Sequence, residues 1–318
     1  MAKPVALFLD KASVHPDDLD FSRLDAVARW QWFDLARPDE IWPDLSHAEI
    51  IVSNKVMMSR EVIAECRSLK LICVAATGFN NVDIDAARES GILVCNVRAY
   101  ATPSVTEHVF TLLLSLNRKL SSYHRSALDG SWSRSDFFCH FGDAFSDLDG
   151  KKIGIIGYGE LGRSVARVAK CFGMEVLIAK RDEADTRPGR IGLSELLSQS
   201  DVVTLHCPLT ENNRYVIAKD ELSMMKPDAM LINTARGGLI DESALLEALE
   251  NKQISGAALD VLEQEPPAID NAVLSYPGDN LILTPHIAWS SSGSRQRLLD
   301  EIAKNIEAYQ KGVPRNLV

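Results

Sequence analysis

Three residues whose types support substrate binding and acid–base chemistry each follow an apolar run of the sequence: Arg236, Glu265 and His286. An arginine just after a buried strand, followed by two glycines, suits bidentate binding of a carboxylate. A histidine at a strand end suits general acid or base catalysis. Glu265, restrained by the following Pro266, could orient that histidine and favour its protonated form. Taken singly, each has a structural alternative: an interface ion pair, an exposed loop acid and a satisfied core histidine.

The stretch Gly157–Gly162 reads G-x-G-x-x-G, and its surroundings predict a dinucleotide-binding turn. An apolar β-type run precedes it, and apolar residues follow it at helical spacing. Gly157 would allow a tight turn, Gly159 would let a pyrophosphate approach the backbone, and Gly162 would let helix and strand pack closely. The phosphates would lie at the helix N-terminus, where free N–H groups favour an anion. The alternative is a glycine-rich turn without a ligand.

Strand candidates alternate with polar or amphipathic helical pieces, which predicts an α/β protein with two doubly wound parallel-sheet domains. The first five candidates are Val5–Leu9, Trp30–Leu35, Glu49–Ser53, Leu71–Ala76 and Ile92–Asn96. The other six are Ile153–Ile156, Glu175–Ala179, Val202–His206, Met230–Asn233, Gly256–Asp260 and Leu281–Leu283. Because the second series starts at the glycine turn, we expect its sheet to bind the dinucleotide.

The order of these pieces predicts two domains joined by two crossings of the chain. We expect one domain to contain residues 1–98 and 289–318, and the dinucleotide-binding domain to contain residues 99–288. The C-terminal segment, residues 294–318, reads as one amphipathic helix that packs on the first domain.

The start of the second domain predicts a buried helix followed by an irregular stretch. Thr102 and Pro103 read as an N-cap residue and a first helical proline. The helix that they open is apolar nearly all round, which indicates burial between domains or subunits. Residues 121–150 read as irregular, and a connection of that length is often functional.

Composition excludes several classes of protein. The 318 residues carry a formal net charge of −10, which argues against nucleic-acid binding. The apolar run Val5–Leu9 is too short for a signal peptide or a membrane span. The six cysteines form no C-x-x-C pair and no zinc-type spacing with histidine. We therefore expect no disulfide, no metal site and a reduced, cytoplasmic location.

Taken together, the motifs resemble those of the D-isomer-specific 2-hydroxyacid dehydrogenase family over almost the whole chain. The resemblance rests on Gly157–Gly162, Asn233–Gly237, Asp260–Pro266, Thr284–Trp289 and Ala76–Asp83. It implies a Rossmann nucleotide-binding domain inserted in a flavodoxin-like substrate domain. It also implies an NAD(P)-dependent oxidoreductase that interconverts a small 2-keto acid and a D-2-hydroxy acid, and a homodimer formed through the nucleotide-binding domain.

The resemblance also implies roles for individual residues. Arg236, Glu265 and His286 would be the catalytic set, and the backbone around Thr77 and Gly78 would bind the substrate carboxylate together with Arg236 and His286. The implied cofactor contacts are Gly157, Gly159, Glu160, Leu161, Gly162, His206, Cys207, Pro208, Thr234, Ala235, Asp260, His286 and Ala288. Asp260 would face the nicotinamide amide.

Within the family, the chain most resembles the glycerate dehydrogenases, also called hydroxypyruvate reductases. The cues are Asn54–Val56 and the segment Trp132–Phe141. Hydroxypyruvate or glyoxylate is therefore the expected substrate, reduced to D-glycerate or glycolate. Two alternatives stay open: a dehydrogenase for a bulkier 2-keto acid, and an NAD(H)-sensing regulator or corepressor on the same fold.

One position departs from the pattern of NAD-dependent enzymes, which place an acid about 20 residues past the glycine turn to bind the ribose hydroxyls. Lys180 stands there, followed by Arg181 and Asp182. These cations could pair with a 2′-phosphate, which favours NADP(H) and leaves NAD(H) possible. Alternatively, Asp182 serves the ribose and NADH use is preserved.

Overall fold

A computed structural model describes residues 3–182 and 184–318 of the chain. The strands are β1 Val5–Phe8, β2 Arg29–Trp32, β3 Ile50–Ser53, β4 Leu71–Val74, β5 Leu93–Cys95, β6 Lys152–Ile156, β7 Glu175–Ile178, β8 Val202–Leu205, β9 Met230–Asn233, β10 Gly256–Leu259 and β11 Leu281–Leu283. The α-helices are α1 Ser22–Val27, α2 Trp42–His47, α3 Arg60–Glu65, α4 Ile84–Glu89, α5 Thr102–Asn117, α6 Leu120–Leu128, α7 Glu160–Cys171, α8 Leu193–Gln199, α9 Lys219–Met224, α10 Glu242–Glu250 and α11 Ser292–Gln310.

The chain divides into two compact units. The first consists of Met1–Ala101 and Trp289–Val318, and the second is the continuous segment Thr102–Ala288. The first unit contains a parallel sheet of order β2-β1-β3-β4-β5. Strands β3 and β4 are buried along their whole length, as expected for parallel strands that helices cover on both faces. Helix α11 belongs to this unit and packs on α1 and β4.

The second unit contains a six-stranded parallel sheet of order β11-β10-β9-β8-β6-β7. The direction of winding reverses between β6 and β8, and ligands bind at such a switch point in open α/β sheets. Helices α8, α9 and α10 contribute leucines to the core on one face of the sheet. Helix α5 packs on β9, β10, β11 and α7. The carboxyl ends of these strands carry Arg236, Glu265 and His286 on the loops that follow them.

The predicted alternation of strands and helices is confirmed. Within the described residues, a strand is present at each of the eleven predicted places, and both sheets are parallel. Strand β2 ends at Trp32, three residues before the predicted end, because the chain leaves the sheet and Leu35 is exposed. Helices α3 and α4 each start with a side-chain N-cap. The Ser59 hydroxyl accepts from the N–H of Val62, and the Asp83 carboxylate accepts from the N–H of Ala86.

Three sequence-based expectations about helices were wrong. Thr102 is the first residue of α5 rather than its cap, and its hydroxyl donates to the Glu160 carboxylate at 2.5 Å. The stretch 121–150 is not wholly irregular, because α6 occupies Leu120–Leu128; its three serines, poor helix formers, hid this helix. The C-terminal helix ends at Gln310 instead of running to the last residue, because Gly312 adopts a φ of 74° and a proline follows.

Candidate active site

The turn after β6 has the backbone that its glycines predict. Gly157 adopts a φ of 97°, a conformation that favours glycine. A Cβ on Gly162 would collide with the carbonyl of Gly157, so α7 packs directly against the turn. A Cβ on Gly159, in contrast, would meet nothing within 4 Å. The N-terminus of α7 therefore faces open space, which fits the pyrophosphate of a dinucleotide.

Two buried polar atoms at the neighbouring strand ends also fit a polar ligand. Nδ1 of His206 and Oγ1 of Thr234 have no hydrogen-bond partner within the described part of the chain. Leu205 of β8 is paired with Asn233 of β9, so His206 and Thr234 follow side by side. Leaving a buried polar atom unpaired costs about 1–3 kcal/mol. Their position is consistent with the cofactor contacts expected of both residues.

The buried imidazole of His206 predicts a specific loss of stability in acid. Burial lowers the pKa of His206 from 6.5 to about 4. The unfolded chain therefore takes up this proton first, so stability is fully present above pH 6.5 and is lost as the pH falls towards 4. Compared with His206→Gln, the wild type should lose about 3 kcal/mol of unfolding free energy between pH 7 and pH 4. Urea unfolding of both proteins across this range is the measurement, and parallel pH profiles would contradict the prediction.

The turn after β9 presents Arg236 at the carboxyl edge of the sheet. Asn233 shapes this turn, because its Oδ1 accepts from the N–H of Ala235 at 2.9 Å and its Nδ2 donates to the carbonyl of Arg236 at 2.8 Å. Nη1 of Arg236 donates to the carbonyl of Ala235 at 2.6 Å, and the side chain is exposed. A Cβ on Gly237 would collide with the backbone of Leu262, so this turn packs against the loop that leads to Glu265.

The structure brings Glu265 and His286 into direct contact. Nδ1 of His286 lies 2.7 Å from Oε2 of Glu265. Because a carboxylate only accepts, Nδ1 carries the proton of this hydrogen bond and Nε2 is left to act on a substrate. The other carboxylate oxygen, Oε1, accepts from the N–H of Leu262 at 3.1 Å. About a third of each of the two side chains is exposed, so the pair is reachable from solvent.

His286 itself has an unusual backbone. Its φ of 55° lies in the left-handed region, which is uncommon for a residue other than glycine. Its N–H donates to the carbonyls of Asp260 and Thr284, at 2.8 and 3.0 Å. The Asp260 carboxylate accepts from the N–H groups of Ile287 and Ala288, both at 2.9 Å, and from the Thr284 hydroxyl at 2.5 Å. Asp260 therefore binds the loop on both sides of the histidine.

The carboxyl of Asp260 is held in its charged form. Burial by itself raises the pKa of Asp260, but the hydrogen bonds from His108, Thr284 and the two backbone amides outweigh burial and hold the pKa below its usual value. The sequence indicated a nicotinamide contact for Asp260 and missed this role in the loop. It also missed His108, which lies in the middle of a leucine-rich helix.

After β7, the structure adds residues that the sequence did not single out. Asp185 is buried and accepts from Nε and Nη2 of Arg187, at 2.7 and 2.6 Å, and from the N–H of Arg181 at 2.9 Å. The Arg187 guanidinium holds the pKa of this carboxyl well below its usual range. The guanidinium of Arg190 lies 3.4 Å from Asp185 and 5.8 Å from the ring centroid of Tyr158, inside the glycine turn. The only feature of the sequence that could have indicated this cluster is the close spacing of its charged residues.

Lys180, Arg181 and Asp182, which the sequence places at the ribose of the cofactor, lie in the same region. The backbone N–H of Lys180 donates to the carbonyl of Ile191 at 2.9 Å, and Arg181 is strongly exposed. Asp182 is also exposed and lies 4.0 Å from Nε of Arg181. Asp185 is occupied by guanidinium and amide donors, so its oxygens are not left for a ribose hydroxyl.

In the first unit, Thr77 and Gly78 lie in the turn after β4. The Thr77 hydroxyl donates to the carbonyl of Val97 at 2.9 Å, and Nδ2 of Asn96 donates to the carbonyl of Thr77 at 2.7 Å. These bonds fix the turn at the carboxyl edge of its sheet, where a carboxylate-binding loop would lie.

The described residues form neither a metal-binding cluster nor a helix that could span a membrane. Across residues 3–182 and 184–318, no cluster of three or more His, Cys, Asp or Glu side chains could hold a metal ion. None of the helices in that part of the chain has the length and apolarity needed to cross a membrane.

Comparison with known proteins identifies the family. The profile for "D-isomer specific 2-hydroxyacid dehydrogenase, NAD binding domain" matches residues 110–288. The chain is 42% identical to the glycerate dehydrogenase of Methylorubrum extorquens, over 100% of this chain and 99% of that one. It is 36% identical to the hydroxypyruvate reductase of Blautia hydrogenotrophica, over 98% of each chain. The solved structure of an NADPH-dependent glyoxylate/hydroxypyruvate reductase from Sinorhizobium meliloti, in complex with NADP and malonate, superposes with a TM-score of 0.85 at 26% identity, covering 100% of this chain and 97% of that one. The chain therefore belongs to the D-isomer-specific 2-hydroxyacid dehydrogenase family.

Proposed function

We propose that the protein reduces hydroxypyruvate or glyoxylate with NAD(P)H, forming D-glycerate or glycolate. The observation that carries this proposal is the hydrogen bond between His286 and Glu265. The pair lies at the carboxyl edge of the six-stranded sheet, the same sheet whose strand β6 leads into the glycine turn. The activities named for the relatives from M. extorquens and B. hydrogenotrophica support the choice of substrate.

The two units take different parts in this proposal. Thr102–Ala288 is the dinucleotide-binding domain, and the remaining unit is the substrate domain, with Thr77 and Gly78 binding the substrate carboxylate. The cofactor would be held by Gly157, Gly159, Glu160, Leu161, Gly162, Lys180, Arg181, His206, Cys207, Pro208, Thr234, Ala235, Asp260, His286 and Ala288.

The catalytic residues act on the keto acid as follows. When bound, NAD(P)H supplies a hydride to the carbonyl carbon. Nε2 of His286 donates a proton to the carbonyl oxygen, which completes the hydroxyl group of the product. Glu265 accepts the Nδ1 proton of His286 and stabilises the imidazolium from which the proton leaves. Arg236 binds the carboxylate of the substrate and stabilises the negative charge that develops on the carbonyl oxygen.

Initial rates with hydroxypyruvate, glyoxylate, pyruvate and a branched, bulkier 2-keto acid test the proposal, each with NADPH and with NADH. We expect hydroxypyruvate or glyoxylate to have the highest kcat/KM. A higher kcat/KM for the bulkier acid would show that the substrate is of that class and not hydroxypyruvate or glyoxylate. Tight dinucleotide binding without turnover of any acid would favour the alternative of a dinucleotide-sensing regulator on this fold.

We also propose that NADP(H) is preferred over NAD(H). Lys180, Arg181 and Arg190 place three cations around the end of β7 and the glycine turn, whereas Asp185 is already bound by guanidinium groups. A 2′-phosphate would gain charge-assisted hydrogen bonds there. The complex of the S. meliloti relative with NADP is consistent with this preference.

The substitution Lys180→Asp tests the preference. Because it replaces a cation with a carboxylate, we expect kcat/KM for NADPH to fall by about 10- to 100-fold, with a smaller change for NADH. The matched control is Lys170→Asp, which makes the same change of charge on the exposed face of α7. Equal effects of the two variants, or an unchanged NADPH/NADH ratio, would contradict the proposed role of Lys180.

We further propose a homodimer formed through the nucleotide-binding domain, in the cytoplasm. Phe137, Phe138 and Phe141 are 72%, 93% and 85% exposed, and Trp132 beside them is 52% exposed. A cluster of exposed aromatic side chains is typical of an interaction surface. Light scattering should give about twice the chain mass of 35.1 kDa, and Phe138→Asp should shift the mass towards one chain. A wild-type mass of one chain would contradict the dimer.

A further inference from the structure

We propose that His108 and Thr284 are positioning residues that hold the left-handed backbone of His286 through the carboxylate of Asp260. This inference rests on the proposed role of His286 as the proton donor. It adds two residues, one of them on helix α5, to those on which turnover depends.

The contacts form a chain of donors and acceptors in the second unit. Nε2 of His108 lies 2.9 Å from Oγ1 of Thr284 and 3.4 Å from Oδ1 of Asp260. The Thr284 hydroxyl has a single proton and points it at Oδ1 of Asp260, at 2.5 Å. Its oxygen must therefore accept from His108, so Nε2 of His108 carries a proton. The order of donation is thus His108 to Thr284 to Asp260.

This chain ends on the loop that carries the catalytic histidine. Asp260 accepts from the N–H groups of Ile287 and Ala288 and offers its own carbonyl to the N–H of His286. A second bond from α5 reinforces the loop, because the Ser104 hydroxyl donates to the carbonyl of Ala288 at 2.7 Å. The loop therefore has hydrogen bonds on both sides of His286 that originate from buried groups.

The conformation of His286 explains why such support is needed. A residue other than glycine in the left-handed region costs of the order of 1–3 kcal/mol and persists only where its surroundings hold it. The Asp260 side chain is 1% exposed, and that of His108 is 15% exposed. Because water has little access to these groups, removing the Thr284 hydroxyl would cost the carboxylate its shortest hydrogen bond and leave His108 only the longer, 3.4 Å approach to Oδ1 of Asp260. We expect the loop to relax and the imidazole to move relative to Glu265.

The test compares variants that remove a donor with variants that keep one. Thr284→Val and His108→Leu remove the hydroxyl and the Nε2–H group, whereas Thr284→Ser and His108→Gln retain a donor. Thr111→Val is the matched control, because it removes a hydroxyl from an exposed position of α5. We expect Thr284→Val and His108→Leu to lower kcat by about 10- to 100-fold, as a displacement near 1 Å does. The conservative variants should recover most of the rate, and the control should retain it.

Two further readouts separate positioning from general stability. Dinucleotide affinity, measured by fluorescence titration, should change by less than about threefold in all five variants, because none of them alters the glycine turn that would hold the pyrophosphate. The Nδ1–H proton of His286, assigned by NMR through its loss in His286→Gln, should be sharp in the wild type and broadened or lost in Thr284→Val. The double variant Thr284→Val/His108→Leu should lose little more than either single variant, because both act through one chain of bonds.

The outcomes distinguish this inference from the proposed function. If the wild type turns over no 2-keto acid, the proposed function fails, while the NMR comparison still tests the position of the imidazole. If Thr284→Val retains both the wild-type kcat and a sharp Nδ1–H signal, the positioning role is wrong. If Thr284→Ser fails to recover the rate and dinucleotide affinity falls together with it, these residues serve the fold in general and the inference is overturned.

Discussion

His286→Ala should lower kcat for hydroxypyruvate reduction by about 10²- to 10⁴-fold, the range that a positioned general acid contributes. The proton donor is lost, whereas the glycine turn that would hold the pyrophosphate lies on a separate strand end. Dinucleotide affinity should therefore stay close to that of the wild type. Stopped-flow or steady-state kinetics give the first quantity and fluorescence titration gives the second.

A matched histidine provides the control for this prediction. His124 is exposed on α6 in the same unit, and His124→Ala should keep wild-type kinetics. Retained turnover in His286→Ala would show that another group supplies the proton. A joint loss of turnover, dinucleotide binding and cooperative unfolding would mean misfolding, and His286→Gln, which conserves more of the side-chain volume, would then take its place.

Arg236→Gln should lower kcat/KM for the keto acid by about 10³-fold. The loss combines hydrogen bonds to a carboxylate, worth about 1.5–3 kcal/mol, with the removal of a cation near the developing oxyanion, which alone costs about 10²- to 10³-fold in rate. Arg236→Lys should recover only part of it, because an ammonium group keeps the charge but not the planar pair of donors. Kinetics with hydroxypyruvate at saturating cofactor measure the effect.

The control for the arginine is Arg67→Gln, which removes the same charge from an exposed position of the first unit. It should leave kcat/KM unchanged. Recovery of Arg236→Gln activity by added guanidinium would support direct action of the lost group on the substrate. An effect below about tenfold would contradict the catalytic role and leave Arg236 as a residue of the turn that packs against Leu262.

Most of the fold could be predicted because its signals are local. Apolar runs such as Ile50–Val52 and Val202–Leu205 are buried strands, and the left-handed Gly157 is where the glycine spacing predicts a tight turn. The missed helix α6 has serines where strong helix formers would have revealed it, so its stability comes from packing rather than propensity.

The candidate site could be predicted only in part, because some of its contacts join residues that are far apart in the sequence. His286 and Glu265 follow strands and are marked by neighbouring prolines, whereas His108 is separated from its partner Thr284 by 176 residues. Nothing in its helical surroundings, which are rich in leucine, distinguishes it from a core histidine. Asp185 shows a related difficulty: the sequence reveals the charges, and only the folded backbone shows which guanidinium groups occupy the carboxylate.

The way in which the two units share the chain has a consequence for synthesis on the ribosome. Thr102–Ala288 is one continuous segment, so it can complete its sheet and core as soon as it has left the exit tunnel. The unit that begins earlier must wait for residues that follow the second unit, because α11 packs on α1 and β4 and the N–H of Val318 donates to the carbonyl of Val94. The unit that starts first is therefore completed after the second one, and during elongation α1 and β4 lack the packing of α11, whose Leu298 and Ile302 are buried in the complete fold.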